Sequence, residues 1–410
     1  MTLAVLLGLF MGPAWGAAEV GISGKLVTEA FTTMDYDLDN DTPGDFGQLR
    51  QDAELDFTVK LADNVTAAID LRANNMRVNT TQNVMYVNQA YVEAAEFLYQ
   101  PLTLKIGKQI VSYSLRGDGN SMWLGYDAAN AGIVAVPGVI AGENVPVGFK
   151  GRLNYNELFV DIYYLKFIES GQRAGFVNGD LDLYGVNVDY WLTEENLVNF
   201  YLAMANDDYS TWMGGIKNYI GIVGLGCDYF LLDKALELAG EVAVEFGKLN
   251  ENVAGEMDLF AYAFDFAARY DFVDVNYKPW IELSFALRSG EDDEGDKSKH
   301  WVSMMENNDK TLLAEGDDQL GGGINGNELD SGYYAIRLGG GAQFTEKISA
   351  YLLFAIFGDM VDDNAAGQIA TNSVGVATDD NMIGFEVDLG AKYEYSENLA
   401  FSLDLGVFAP

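Results

Sequence analysis

Residues 50–72 read RQDAELDFTVKLADNVTAAIDLR, and apolar and polar residues alternate along both halves of this stretch. The apolar side of the first half consists of Ala53, Leu55, Phe57, Val59 and Leu61. A period of two residues is typical of a β-strand with one apolar and one polar face. Because the short stretch LADN separates two such halves, the segment predicts an antiparallel hairpin.

The same alternation recurs in segments of about 10 to 16 residues along the chain. The clearest of these are residues 65–77, 102–111, 158–167, 181–192, 196–205, 259–272, 277–288 and 333–344. Strands that are apolar on one side and polar on the other predict a transmembrane antiparallel β-barrel, apolar toward lipid and polar toward a wet lumen. Aromatic residues near strand ends predict interfacial girdles. They are Tyr163, Tyr164, Tyr190, Trp191, Tyr393 and Tyr395.

The connections between these segments are of two kinds that alternate. Short turns lie at residues 61–64, 192–196, 231–235, 271–274, 344–347 and 395–398. Longer, acidic, Gly-rich loops lie near residues 35–45, 112–131, 169–180, 206–217, 249–257, 290–330 and 359–380. Outer-membrane barrels have short periplasmic turns and long outer loops, so the pattern predicts the orientation as well as the fold.

The strand count predicts a barrel of about 18 strands, of which about 17 are visible in the sequence. The last visible strand covers residues 399–408 and would run outward. Because bacterial barrels have an even number of strands, we expect a closing strand beyond Pro410. Between Ala131 and Lys150, Pro137 and Pro146 interrupt the alternating pattern, so the strand count there depends on where the strand is taken to begin.

The N-terminus predicts export. Residues 3–11 form an apolar run that is followed by Pro13 and the small residues of AWGAA. This arrangement indicates a signal peptide over residues 1–18, with the barrel over residues 19–410. No Lys or Arg precedes Lys25, so the start is either truncated or atypical. The alternative is an ordinary buried N-terminal helix.

Composition excludes several functions. The net charge is −38, with 62 acidic residues against 24 Lys and Arg, which argues against nucleic-acid binding. The chain has one cysteine, Cys227, and one histidine, His300. We therefore predict no catalytic residues, no resident metal site, no cofactor and no enzymatic activity. Two alternatives stay open: a sleeve around a separate electron-transfer cytochrome, and an outer-membrane hydrolase built on His300.

Period two also predicts which charged residues face the lumen. A basic set, Arg50, Arg72, Lys105, Arg269, Arg288 and Arg337, faces an acidic set, Asp52, Asp70, Asp265, Glu282 and Glu386. A register error of one residue would invert these facings. The predicted pore-lining residues also include Gln109, Arg116 and Asp118.

Two loop features are open to two interpretations each. The loop at residues 112–132 is either a constriction that folds into the lumen or an ordinary outer loop. The acidic stretches DDEGD and MVDDN in the long loops are either solvated acid or weak sites for divalent cations.

Four stretches resemble the alginate export family of outer-membrane porins: residues 50–72, 89–119, 278–293 and 383–408. The most specific parts are Gly107, Lys108 and Gln109 with Gly117 and Asp118 soon after, and the last hairpin. The resemblance implies a monomeric barrel of eighteen strands whose closing strand would follow residue 410. The polar faces nevertheless carry at least as many acids as bases, and a conduit for a polyanion is expected to be cationic.

The sequence as a whole predicts a bacterial outer-membrane porin. It would be a passive diffusion channel for ions and small hydrophilic solutes, with an alginate-type oligosaccharide or polysaccharide as a further possible cargo. We expect a monomer surrounded by outer-membrane lipid and a mixed or cation-preferring pore.

Overall fold

The computed structural model describes residues 19–33, 46–77, 85–111, 145–169, 180–207, 217–251, 257–290, 297–299, 301, 311–312, 332–360 and 382–409. These residues form one sheet of eighteen strands. The strands of the first half are β1 (Glu19–Thr33), β2 (Phe46–Ala62), β3 (Val65–Arg77), β4 (Tyr86–Ala94), β5 (Leu102–Lys108), β6 (Val147–Tyr155), β7 (Leu158–Glu169), β8 (Asp180–Trp191) and β9 (Leu197–Asp207). Those of the second half are β10 (Lys217–Leu231), β11 (Leu236–Glu251), β12 (Met257–Asp271), β13 (Trp280–Arg288), β14 (Lys297–Ser298), β15 (Tyr333–Thr345), β16 (Ile348–Asp359), β17 (Met382–Ser396) and β18 (Leu399–Ala409).

The strands pair as an antiparallel meander. Each of them hydrogen-bonds to the strand before and after it, except that β13 pairs with β15 and the two-residue β14 lies parallel to β12. Within the described part of the chain, β1 pairs with β2 alone and β18 with β17 alone. The predicted all-β antiparallel barrel is confirmed. The closing strand beyond Pro410 stays a prediction.

The two faces of the sheet differ as period two requires. In β12, Phe260 and Tyr262 are exposed on one face, whereas Ala261 and Ala263 between them are buried on the other. In β18, the large apolar residues Leu403, Leu405 and Val407 occupy every second position and are exposed. Large exposed apolar side chains recur along nearly every strand, which gives the barrel an apolar exterior. We call the opposite side the inner face.

Hydroxyl groups stabilise several of the short turns. The Thr345 Oγ1 atom accepts hydrogen bonds from the amides of Lys347 (3.2 Å) and Ile348 (3.0 Å). The Thr193 Oγ1 atom accepts in the same way from Glu195 (3.3 Å) and Asn196 (3.1 Å). These bonds satisfy backbone groups that the sheet leaves unpaired at its end, so the predicted short turns are confirmed at these positions.

Two sequence-based details are wrong. The strand predicted from Tyr277 begins only at Trp280, because Tyr277 and Lys278 adopt positive φ angles (70° and 39°) in a longer turn that includes Pro279. Tyr163 does not belong to an aromatic girdle, since its ring is buried on the inner face. Tyr190, Tyr393 and Tyr395 are exposed as predicted.

No helix among the described residues is long and apolar enough to cross a membrane.

Candidate functional site

The inner face carries the polar side chains that could act on a solute. Of the predicted residues, ten occupy this face by strand register: Asp52, Asp70, Arg72, Lys105, Asp265, Arg269, Glu282, Arg288, Arg337 and Glu386. The side chain of Arg50 lies outside the described residues, as do Arg116, Asp118, the acidic stretch DDEGD and the part of MVDDN after Met360. The loop predicted at residues 112–132 also lies outside them.

An acidic group lies on β2 and β3. Asp56 and Asp70 are directly opposite each other, and Glu54 is opposite Arg72. The Arg72 guanidinium lies 3.5 Å from Glu54 Oε2 and 3.4 Å from Asp70 Oδ2. We call Glu54, Asp56 and Asp70 the acidic cluster.

A basic group lies beyond it, on β5 and β6. Lys105 and Lys150 are directly opposite each other, and the Lys105 ammonium lies 3.6 Å from the centre of the Tyr91 ring. Arg152 makes a two-pronged ion pair with Asp161, with both N to O distances 2.7 Å. We call Lys105, Lys150 and Arg152 the basic cluster. Acidic and basic groups therefore occupy neighbouring sectors of the inner face.

Five of the predicted residues in the described part of the chain are buried: Asp70, Gln109, Arg288, Arg337 and Glu386. Arg288 is fully buried; its guanidinium bonds to Asp265 Oδ2 (2.9 Å) and to the backbone oxygens of Leu287 (3.0 Å) and Phe264 (3.3 Å). Arg337 is 4% exposed and Glu386 is 0% exposed. Arg288, Arg337 and Glu386 therefore contribute little surface to the lumen, and their pore-lining role stays a prediction.

Arg269 and Gln109 make contacts that the sequence does not reveal. Arg269 is opposite Glu282 in register, yet its guanidinium pairs with Asp271 (3.0 Å) and stacks over the Trp280 ring at 4.4 Å. Gln109 is fully buried, and its amide nitrogen donates to the backbone oxygen of Gly148 at 3.1 Å. Gln109 therefore ties the end of β5 to β6.

Sequence reasoning missed a tyrosine and glycine arrangement: among the described residues of the inner face, the ring lies across a glycine at Tyr163, Tyr201 and Tyr351. At the last two of these the hydroxyl also reaches a carboxylate one strand further. The Tyr201 ring lies across Gly224 on the next strand, and its hydroxyl donates to Glu241 Oε1 (2.7 Å) one strand further. Tyr351, Gly390 and Asp404 repeat the arrangement, with a 2.9 Å hydrogen bond. The alternation in the sequence places these Tyr and Gly residues on the same face of the sheet. Which tyrosine lies opposite which glycine follows only from the strand register.

Lys150, Arg152 and Asp161 were also missed as site residues. Lys150 lies near Pro137 and Pro146, where the alternation was hard to follow, and β6 begins at Val147 directly after Pro146. With β6 beginning at Val147, inward and outward residues alternate regularly along β6 and β7.

An apolar patch covers the inner face of β7 to β12 toward the long-loop end. It contains Leu165, Leu183, Ile222 and other small or branched residues, together with Trp301 from the β14–β15 connection. Trp301 is fully buried, and its amide donates to Ser289 O at 3.1 Å. Further along the same connection, the Leu312 amide donates to Asp388 Oδ2 (3.1 Å) on the inner face of β17. The described residues of this connection therefore contact the inside of the barrel at two separate places.

No protein-family model and no curated protein sequence matches this chain. Solved structures do match it. The Pseudomonas aeruginosa protein OccK2 (OpdF), solved in complex with glucuronate, is 12% identical, with a TM-score of 0.57 over 96% of this chain and 92% of that one. OccK8 (OprE) of the same organism is 11% identical, with a TM-score of 0.55 over 96% and 94% of the two chains. An anion-selective porin from Comamonas acidovorans is 14% identical, with a TM-score of 0.50 over 85% and 90%. The resemblance to the alginate export family stays a prediction, and the chain has the fold of an outer-membrane porin.

Proposed function

We propose that this chain is an outer-membrane porin that forms a passive diffusion channel for ions and small hydrophilic solutes. The observation that carries the proposal is the division of one antiparallel sheet into an apolar exposed face and an inner face with charged clusters. Such a wall is stable in lipid because its backbone groups pair between strands. The similarity to solved porins supports the same function.

The channel would select by size and charge. The acidic cluster and the basic cluster lie in neighbouring sectors, so a solute would meet both signs of charge. Because the chain carries 62 acidic against 24 basic residues, we expect a mixed or cation-preferring pore. A solute that bears a single carboxylate could still contact Lys105 and Tyr91. Among oligosaccharide solutes, one that is neutral or carries charges of both signs fits this pore better than the polyanion alginate.

Swelling of liposomes that contain the protein tests this proposal. Passage of small sugars, with rates that fall as solute size rises, is the expected result. An impermeable liposome, with the protein shown to be inserted and folded, would refute it. Comparison of sugars with their uronic acids at matched size separates size from charge selection.

A further inference from the structure

The acidic cluster combines groups that repel one another. Glu54, Asp56 and Asp70 each offer a carboxylate oxygen, and these oxygens lie within 4.8 Å of one another. Asp56 and Asp70 are direct cross-strand partners. Like charges in such positions destabilise a sheet, so the arrangement needs compensation.

The neighbouring protein groups compensate the charge only in part. Arg72 lies 3.5 Å from Glu54 and 3.4 Å from Asp70, and it brings one positive charge to three negative ones. Ser23 donates a 3.2 Å hydrogen bond to Asp56 but carries no charge. Lys25 is opposite Glu54 in register and is exposed.

A buried amide provides an independent indication of a ligand. Asn88 is fully buried and lies at an irregularity of the β3–β4 pairing, where the partner of Asp70 is Gln89 and that of Leu71 is Val87. The Asn88 Nδ2 atom donates to Asp70 Oδ2 at 2.6 Å, so the amide contacts the cluster. A β-bulge at such a place redirects a side chain.

Two oxygen atoms at this place have no hydrogen-bond partner among the residues that the structure describes. They are Asn88 Oδ1 and Asp70 Oδ1; both are buried, and Asp70 is only 4% exposed. A buried acceptor without a donor costs about 1–3 kcal/mol. A cation would satisfy both oxygens and would offset the remaining negative charge at the same time.

We propose that Glu54, Asp56, Asp70 and the Asn88 side-chain oxygen bind one divalent cation of the calcium type. All four ligands are hard oxygens, which suit calcium. Calcium accepts such ligands at about 2.4 Å in a flexible geometry, whereas magnesium requires nearly octahedral geometry at about 2.1 Å and usually keeps several waters. Bound calcium neutralises the acidic sector, so the calcium concentration tunes the charge that a solute meets.

Calorimetric titration of the folded protein in detergent with CaCl2 tests this inference without any channel measurement. We expect one site with a dissociation constant on the order of 10⁻⁴ to 10⁻³ M and weaker binding of MgCl2. Asp70→Asn is expected to weaken calcium binding at least about tenfold. The matched control is Glu394→Gln, which removes an exposed carboxylate paired with Lys392 on β17 and should leave binding unchanged.

Variants of Asn88 separate ligation from simple attraction of counter-ions. Asn88→Ala removes an uncharged oxygen and should weaken calcium binding by about tenfold, while Asn88→Asp should restore it. The circular dichroism of each variant checks that it folds. Absence of calcium binding by the folded wild-type chain would overturn the inference. Equal loss in Asp70→Asn and Glu394→Gln, or unchanged binding in folded Asn88→Ala, would overturn it as well.

Discussion

The Tyr351 hydroxyl donates a 2.9 Å hydrogen bond to Asp404 two strands away, because the glycine at position 390 on the strand between them leaves room for the ring. The pair joins β16 to β18 across β17. Glycine is normally a weak residue in a strand, since it has no side chain to pack. Here the tyrosine ring packs over the bare backbone and supplies that contact.

Gly390→Ala should destabilise the barrel by about 1–3 kcal/mol, because the new methyl group would overlap the Tyr351 ring. Tyr351→Phe keeps the ring and loses only the hydrogen bond to Asp404, so we expect the free energy of unfolding to fall by about 1 kcal/mol. Urea unfolding in detergent measures both effects. Gly240→Ala is the control, since a methyl group there meets its nearest neighbour at 3.5 Å. Equal stability of the Gly390 and Gly240 variants would contradict the packing account.

Asp265→Asn should be among the more damaging polar substitutions on the inner face. It replaces the carboxylate that bonds to the fully buried Arg288 guanidinium at 2.9 Å with a neutral amide. Breaking a buried ion pair typically costs about 3–5 kcal/mol, and the partial exposure of Asp265 reduces this to about 2–3 kcal/mol.

The exposed pair of Lys392 and Glu394 serves as the comparison for that prediction. Its N to O distance is 2.9 Å, but both side chains are more than half exposed. Glu394→Gln should therefore change the free energy of unfolding by less than about 1 kcal/mol. The account fails if the two substitutions destabilise the barrel equally.

The basic cluster should affect selectivity in the opposite direction to the acidic cluster. Lys105→Gln should increase the preference for K⁺ over Cl⁻, and Glu54→Gln should decrease it. Two unit charges about 4 Å apart in water interact with an energy of about 1 kcal/mol. This energy limits the change in the permeability ratio to about fivefold for each substitution. Reversal potentials in a salt gradient measure these changes. An effect of the same sign for both variants would contradict the placement of the two clusters in the conducting path.

Cys227 reports directly on which face meets lipid. It is the only cysteine of the chain, and it lies in β10 on the exposed face between Leu225 and Tyr229. In proteoliposomes, an apolar maleimide should label it faster than a charged maleimide, because only the apolar reagent enters the lipid. After unfolding in detergent both reagents should react. Rapid labelling by the charged reagent in intact proteoliposomes would show that Cys227 meets water. That result would contradict the assignment of this face of β10 to lipid.

Much of the fold could be predicted from the sequence, because period two fixes which side of a strand each residue occupies. Asp265 and Arg269 lie on the inner face for this reason alone. The alternation does not report what lies beyond the strand. The full burial of Arg288, the contact of Asn88 with Asp70 and the path of Tyr351 across Gly390 depend on register and on neighbouring strands. Short-range patterns carry no information on those distances.

The boundaries of strands were harder to predict at prolines. The turn that contains Tyr277 and Lys278 ends at Pro279, and its positive φ angles cannot be read from alternating hydrophobicity. Similarly, the cluster with Lys150 and Arg152 was missed because Pro146 directly precedes its strand.

Single-channel recording in a planar bilayer, with the reversal potential read across a KCl gradient, tests the central claim most directly. The account predicts a steady open conductance whose reversal potential shows a preference for K⁺. A clear preference for Cl⁻ would contradict the assignment of charge to the conducting path. A folded, inserted protein that passes no current would contradict the channel itself.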